Sequence, residues 1–499
     1  MKILLIDPPG WQKGVLNVGL AYLASSLERE EFYVQVIDAN SSPLTDKELL
    51  NIVSNYNPTI IGYSVNTGTV NSAIRLSKKT KKLFPHLIHV AGGPHITLFY
   101  QEFLFQNRQF DYAFLKEAEE NFPLFCKKLS KEDSVSGVHG IAFINENNEL
   151  VVNQLEKFPD PNDLSFPSYD KFYPYQREFL QKKYPLVTSR GCPYNCIFCT
   201  ASKICGKKWR GRSPEHVIEE LKFAKSKYEI QRFDIVDDNV TLNLSRVKKF
   251  CKMLIYEKVE LGWSCPNGVR ADKVDKELAE LMRESGCDMI CIGVESGDKE
   301  VFDSIKKGET LLEVEKSIRL LKYVGIKVTG LFIIGLPGDN LKRFEKSLEF
   351  IKRTELDDAW FGLLIPFRGT QVYEWVEKNG RFLRDFDEAQ FFGTDARPIF
   401  ETAQFTEREM LECYQKACTV IGNFGRVIPV NISEFEREKL KQRLLWKYDR
   451  KRIKTHLFQF IIIHTNNEKV WIFLNKVLNK IYNFNKKISV RTKNLFKKR

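Results

Sequence analysis

Ser189-Arg190-Gly191-Cys192-Pro193-Tyr194-Asn195-Cys196-Ile197-Phe198-Cys199 follows an apolar run over 184–188, and its reading decides the fold. Thiolates are the usual ligands of iron–sulfur clusters, and three cysteines spaced C-x3-C-x2-C can hold three irons of one cubane. One iron then stays open to an outside ligand. Two simpler readings compete. A structural zinc wants four ligands, commonly two separated C-x2-C pairs, and no second pair exists here, although Cys205 could serve as a fourth thiol. Free cysteine also behaves as a small buried hydrophobe.

The stretch resembles the signature of the radical S-adenosylmethionine (SAM) superfamily, which places C-x3-C-x2-C on the loop after the first barrel strand with an aromatic before the last cysteine. Phe198 fills that place. The resemblance implies that Cys192, Cys196 and Cys199 ligate a 4Fe-4S cluster whose open iron chelates SAM. It also implies reductive cleavage of SAM to a 5'-deoxyadenosyl radical that abstracts hydrogen from a substrate, so a reductant such as flavodoxin or ferredoxin is expected as a partner.

Downstream, apolar strand-like runs near 184–189, 233–238, 261–265, 289–294, 328–334 and 359–365 alternate with helical segments. Six such units predict a partial (β/α)6 barrel of the TIM type, with functional groups at the carboxyl ends of its strands. The second run ends in Asp237-Asp238-Asn239-Val240-Thr241, and the third leads to Arg270 through Cys265-Pro266-Asn267-Gly268. The fourth ends in Ile292-Gly293-Val294-Glu295-Ser296-Gly297 and the fifth in Gly335-Leu336-Pro337-Gly338. In the resemblance Asp237, Asp238 and Arg270 approach SAM or substrate. Glu295 accepts from the ribose hydroxyls with Ser296 in support, and Gly335 lets adenine lie against the backbone. Asp/Asn clusters after strands also serve as plain caps and turns. Cys265, Cys287, Cys291, Cys413 and Cys418 read as structural.

Upstream, strand-like runs near 2–7, 33–39, 59–65, 88–91 and 112–115 alternate with helical ones. That pattern predicts a Rossmann-like, flavodoxin-like doubly wound parallel sheet whose ligand sits beyond the carboxyl ends of the strands. The loops there are Asp7-Pro8-Pro9-Gly10, Ser64-Val65-Asn66-Thr67-Gly68 and Gly92-Gly93-Pro94-His95. These, with Gly19-Leu20-Ala21-Tyr22, Ile37-Asp38 and Asp111-Tyr112, resemble the cobalamin-binding domain that precedes many radical SAM barrels. The resemblance implies cobalamin at Pro9, Gly19, Ser64, Gly92 and Gly93. Lys116-Glu117-Ala118-Glu119 stands where that family has an Arg-Gly-Glu-like turn. Pro9 and Gln12 replace the histidine and glycine of the D-x-H-x-x-G loop, so no cobalt-ligating histidine is expected there, and His95 reads as a packing or hydrogen-bonding residue.

The α/β chain of 499 residues thus divides into a cobalamin-binding domain over 1–137, a linker over 138–182, a barrel over 183–370, a helical region over 371–438 and a tail over 439–499. The linker carries a hairpin around Asn145–Asn148 and a Pro-rich extended stretch. The 11 cysteines form no disulfide-like framework and the N-terminus reads as a strand, which predicts a cytoplasmic protein. The net charge of +13 is a property of the tail, where 18 Lys/Arg face 2 Asp/Glu, leaving 59 against 62 in residues 1–438. In the tail Trp471, Leu474, Leu478 and Ile481 share one helical side and Lys469, Lys476, Lys480 and Lys487 the other, with Phe473 out of pattern. A basic amphipathic helix of this kind predicts a peripheral membrane surface, with packing on the barrel or RNA binding as alternatives.

These readings predict a cobalamin-dependent radical SAM enzyme, a transferase that methylates an unactivated carbon of a hydrophobic small molecule or lipid, or cyclises or rearranges it. The alternatives are a tRNA-modifying radical SAM enzyme and a noncatalytic cobalamin or redox sensor. Nucleic acid is the less favoured partner, since residues 1–140 hold one cysteine, Cys126, where a methylthiotransferase places a second cluster.

Overall fold

The computed structural model describes residues 1–10, 16–155, 157–174, 177–386 and 396–421. Two sheets dominate. The first contains β1 (Lys2–Asp7), β2 (Tyr33–Asp38), β3 (Ile60–Ser64), β4 (Ile88–Gly92), β5 (Tyr112–Phe114), β6 (Ile141–Ile144) and β7 (Leu150–Asn153) in the order β2-β1-β3-β4-β5-β6-β7. β1 to β5 are parallel, and the order reverses between β1 and β3. A ligand in such a sheet sits at that switch point, beyond the carboxyl ends. Apolar runs at β1 and β3 are buried on both faces, as a helix-covered parallel sheet requires.

The hairpin expected in the linker belongs to this sheet. β6 pairs antiparallel with β5 and β7 with β6, so the sheet runs to Asn153, past the expected boundary at 137. The reason is local: Ile141 and Ala142 are fully buried, and their pairing covers an edge that β5 would otherwise leave open. The Pro-rich stretch that follows is expected to be extended; it contains a turn over 161–163 and a 3-10 turn at Tyr169–Lys171, and it packs against both sheets. Ser168 N donates to Ala21 O at 3.0 Å, Tyr173 N to Val36 O at 2.7 Å, and the buried Tyr169 hydroxyl to Pro185 O at 3.3 Å.

After β8 (Tyr184–Leu186) comes a short antiparallel pair, β9 (Ser189–Arg190) with β10 (Arg210–Gly211). Then follow β11 (Arg232–Ile235), β12 (Gly262–Val269), β13 (Cys287–Glu295), β14 (Lys327–Ile334) and β15 (Asp358–Leu363). Their order is β15-β14-β13-β12-β11-β8, every neighbour parallel, which is the open six-stranded barrel wall that the spacing predicted. Residues 371–421 are not all helical: helices Gln371–Asn379 and Glu407–Ile421 are joined by β16 (Gly380–Phe382) and β17 (Phe400–Thr402), whose facing Arg381 and Glu401 pair at 2.6 Å. The tail over 439–499, with its expected membrane helix, lies outside the described residues. Among the described residues no helix is long and apolar enough to cross a membrane.

The two sheets are joined through buried polar groups. Arg212 and Glu220, on the barrel side, form an ion pair with 2% and 0% side-chain exposure. Tyr184 donates to Glu220 at 2.8 Å, and Tyr22, from the first domain, lies 3.3 Å from Arg212 Nη1 and 3.5 Å from Glu220 Oε2. Removing one member of a buried pair leaves a charge without compensation and costs about 3–5 kcal/mol, whereas an exposed pair is worth under about 1 kcal/mol. Glu220→Gln is therefore expected to lower the unfolding midpoint strongly in a denaturant titration. Asp303→Asn, which breaks the exposed Lys299–Asp303 pair, should leave it near the wild-type value.

Candidate functional site

The cysteine loop begins where β8 ends, and Asp237 fixes its start. One Asp237 oxygen accepts from Thr188 N at 2.6 Å, and the other from the Thr188 and Ser189 hydroxyls, both at 2.6 Å. Asp237 is thus buried, with its oxygens directed at Thr188 and Ser189 at the start of the loop. Gly191 follows at φ +84°, where an added Cβ would lie 2.5 Å from Lys208 O, so glycine is required. Cys192 N donates to Gly206 O at 3.2 Å, and the middle of the loop is held by Ile197 N to Ile305 O at 3.1 Å.

Cys192 and Cys196 are half-buried and Cys199 is exposed. Burial pushes the Cys196 thiol up to about 11, with Cys192 close enough to add to the effect. A metal that binds must displace that proton. Hydrogen-bond donors already face the sulfurs: Ala201 N lies 3.4 Å from Cys199 Sγ and Asn239 Nδ2 lies 4.0 Å from Cys192 Sγ. Among the described residues no three His, Cys, Asp or Glu side chains converge on a single-ion site. A cubane asks for a different arrangement, one thiolate for each of three irons, and this donor set suits it.

The other strand ends surround the loop. Glu295 closes β13 at φ +60° and is 8% exposed, its Oε1 3.1 Å from Lys307 Nζ. Lys307 also pairs with Glu309 at 3.2 Å and donates to Gly293 O. Ser296 is buried, and its hydroxyl accepts from Asp298 N at 3.2 Å. Asp238 is exposed, and Phe198 packs half-buried on the core. Arg270 lies 3.6 Å from the Tyr194 ring centroid while donating to Asp272 at 2.9 Å, Lys307 O at 2.8 Å and Gly308 O at 3.1 Å. Three of its donors thus brace the ring of Tyr194, in the cysteine loop, against the 307–309 turn. Gly335 has φ +99° and faces Met410 and Phe400, where a Cβ would lie 3.3 Å and 3.4 Å from them; an adenine on that side would meet packed side chains. Asn239 and Lys307 carry no role in any motif read from the sequence. The one hint is that Asn239 directly follows the two aspartates.

At the first sheet, Ser64 accepts from Asn17 Nδ2 at 3.0 Å, and Asn17 Oδ1 caps the helix Val18–Arg29 through Leu20 N at 3.1 Å. Gly19 is exposed in that helix's first turn, and Pro9 is half-exposed just past β1. Gly93 has φ +100°, and a Cβ there would meet Val65 O at 2.8 Å, whereas one on Gly92 would find Phe114 at an ordinary 3.7 Å. His95 packs as the sequence predicted: it stacks on Phe99 at 4.7 Å, lies 3.3 Å from Thr67 Oγ1, and burial pushes it down to about 4, so it is neutral. Asp7 Oδ1 and Asn40 Oδ1 are buried without partners beside the switch point. Burial, with Asp38 adjacent, pushes Asp7 up to about 7. Orphaned acceptors in a glycine-lined crevice fit a ligand rich in amide N–H groups, as a corrinoid's periphery is.

The φ of Gly93 belongs to a region that other residues enter at a cost of about 1–3 kcal/mol. Gly93→Ala is expected to lower the unfolding midpoint of the apo chain and to remove cobalamin retention on anaerobic gel filtration. Gly92→Ala should leave the midpoint unchanged.

Family models match on both sides of the molecule: the B12 binding domain over residues 14–125 and the Radical SAM superfamily over 186–351. A Pyrococcus horikoshii protein named "Uncharacterized methyltransferase PH0819" is 30% identical over 429 residues, 84% of this chain and 91% of that one. The Rubrivivax gelatinosus "Anaerobic magnesium-protoporphyrin IX monomethyl ester cyclase" is 23% identical, covering 85% of this chain and 77% of its own. Among solved structures, the radical SAM methyltransferase TsrM of Kitasatospora setae, with tryptophan and a SAM analogue bound, superposes with a TM-score of 0.66 at 17% identity over 77% of this chain and 79% of its own. The chain belongs to the radical SAM superfamily, among the enzymes whose barrel follows a B12-binding domain.

Proposed function

We propose that this enzyme methylates an unactivated carbon of a hydrophobic small molecule, with Cys192, Cys196 and Cys199 holding a 4Fe-4S cluster and Pro9, Gly19, Ser64, Gly92 and Gly93 lining the cobalamin crevice. Bound there, the cluster supplies an electron for SAM cleavage and cobalamin a transferable methyl group. Glu295 accepts from the ribose hydroxyls, Ser296 holds the turn behind it, and the exposed Asp238 and half-buried Phe198 bound the same mouth. Lys307 holds the Glu295 carboxylate in place from 3.1 Å. The electron comes from outside the chain, as a flavodoxin or ferredoxin could supply it.

One observation carries the substrate class. Phe99, in the helix after β4, meets Phe386 at 5.3 Å; Phe386 in turn lies 6.5 Å from Phe367 and 5.7 Å from Phe382, with Tyr373 5.2 Å from Phe382. Phe367 follows β15, so this aromatic wall stands at the carboxyl ends of both sheets, where the two cofactor loops also are. Aromatic surface of that extent suits an apolar ligand. The relative named a methyltransferase favours methyl transfer, and the relative named a cyclase keeps ring closure as the alternative outcome.

Anaerobic turnover of the reconstituted chain with dithionite and methyl-deuterated SAM tests this. 5'-Deoxyadenosine together with a deuterated product, both absent in Cys196→Ala, is the predicted result. 5'-Deoxyadenosine with an unlabelled, dehydrogenated product would replace methylation by cyclisation. Nucleoside formation that survives Cys196→Ala would contradict the cluster assignment.

A further inference from the structure

Arg190 sits between Ser189, which Asp237 holds, and Gly191-Cys192, where the first proposed cluster ligand is. Its side-chain partners come from the other domain. Nη1 lies 2.9 Å from Glu117 Oε2 and Nη2 lies 2.7 Å from Glu119 Oε1, with side-chain exposures of 11%, 9% and 7%. Its guanidinium also lies over the Tyr22 ring at 5.1 Å. Across the β9–β10 pair, Arg210 faces Arg190 and takes up Glu117 as well, at 3.0 Å from Nη1 to Oε2. Arg210 then ties in Pro159 O at 2.7 Å and Cys205 O at 3.1 Å, and its guanidinium covers the Phe158 ring at 4.6 Å. The turn that delivers the two carboxylates is pinned at Lys116, which has φ +65° and whose N donates to Thr97 Oγ1 at 2.9 Å.

Two carboxylates and two guanidinium groups make this cluster neutral, yet it is an expensive way to join two domains. Buried ion pairs pay a desolvation penalty that apolar residues of the same volume avoid, and their best-attested use is to fix one register. The pairing here is also imperfect, since Glu119 Oε2 and Arg210 Nε are buried without partners. Rigid placement accounts for the arrangement better than adhesion does. The bridge ends on the residue two before Cys192, while the Cys205–Lys208 backbone, which Arg210 also holds, closes over Gly191 and accepts from Cys192 N.

We propose that Glu117 and Glu119 of the B12-binding domain are positioning residues for the iron–sulfur centre, acting through Arg190, so that the domain that holds cobalamin also sets the geometry of the cysteine loop. This rests on the reading that the three cysteines hold the cluster. A small misplacement of reacting groups costs up to about a hundredfold in rate. The potential of such a cluster also responds to the hydrogen bonds and solvent around its sulfurs.

The test uses holoenzyme reconstituted with iron, sulfide and hydroxocobalamin, comparing wild type with Glu117→Gln and Glu119→Gln. Expected are wild-type iron and cobalamin contents, an altered EPR spectrum of the reduced cluster with SAM, and 5'-deoxyadenosine formation lowered by about tenfold to a hundredfold. Glu117→Asp keeps the charge, and should recover most of the rate; it also serves if an amide variant does not fold. Pairing Glu117→Gln with Arg190→Gln should give less than the product of the two single losses, since both act through one contact. Unchanged spectra and rates would overturn the proposal, as would loss of cobalamin with a normal cluster, which would place Glu117 in the cobalamin site. A wild-type chain that takes up no iron would refute the cluster reading itself, a separate outcome.

Discussion

Charge that is buried must be paired, and in this molecule the pairing runs between domains. Arg212 with Glu220 and Tyr22, and Arg190 with Glu117 and Glu119, lie along one seam between the first sheet and the barrel. Arg212 and Glu220 pair within the barrel and reach Tyr22 across the seam, whereas neither half alone satisfies Arg190, Glu117 and Glu119. A sheet separated from the barrel would leave Glu117 and Glu119 without a cation, and the barrel alone would leave Arg190 without an anion. The seam therefore ties the turn after β5 to the start of the cysteine loop.

That placement gives the loops their meaning. In each sheet the backbone turns just past a strand end, at Gly93 beside Val65 and at Gly191 beside Lys208, and in both places a side chain would collide with the neighbouring backbone. Between them the aromatic wall from Phe99 to Phe386 and Phe367 supplies apolar surface.

Much of this was legible from one dimension. Apolar runs that stop at Gly, Asp or Ser mark the carboxyl ends of parallel strands, and the cysteine spacing carries its own chemistry. The positions of the parallel strands and the fold class could be read in this way. What could not be read depends on partners remote in sequence. Asp237 looks like a ligand beside Asp238 and Asn239, but the groups that occupy it, Thr188 and Ser189, lie 49 and 48 residues away. Arg270 similarly looks free until the 307–309 turn comes to meet it. Lys116–Glu119 reads as an altered turn, and its purpose emerges only with Arg190, 73 residues beyond Glu117. The hairpin β6–β7 reads as linker because it is short and its turn is polar, and only the open edge of β5 explains where it goes.

The claim on which the rest depends is that cobalamin and the iron–sulfur cluster share one cavity. Low-temperature EPR of the holoenzyme, with cobalamin as cob(II)alamin and the cluster reduced, measures this through the magnetic interaction between the two spins. The account predicts a cob(II)alamin signal that is broadened and faster-relaxing when the cluster is reduced, and that sharpens when the cluster is oxidised to its diamagnetic state. Two signals that ignore each other in both states would contradict it.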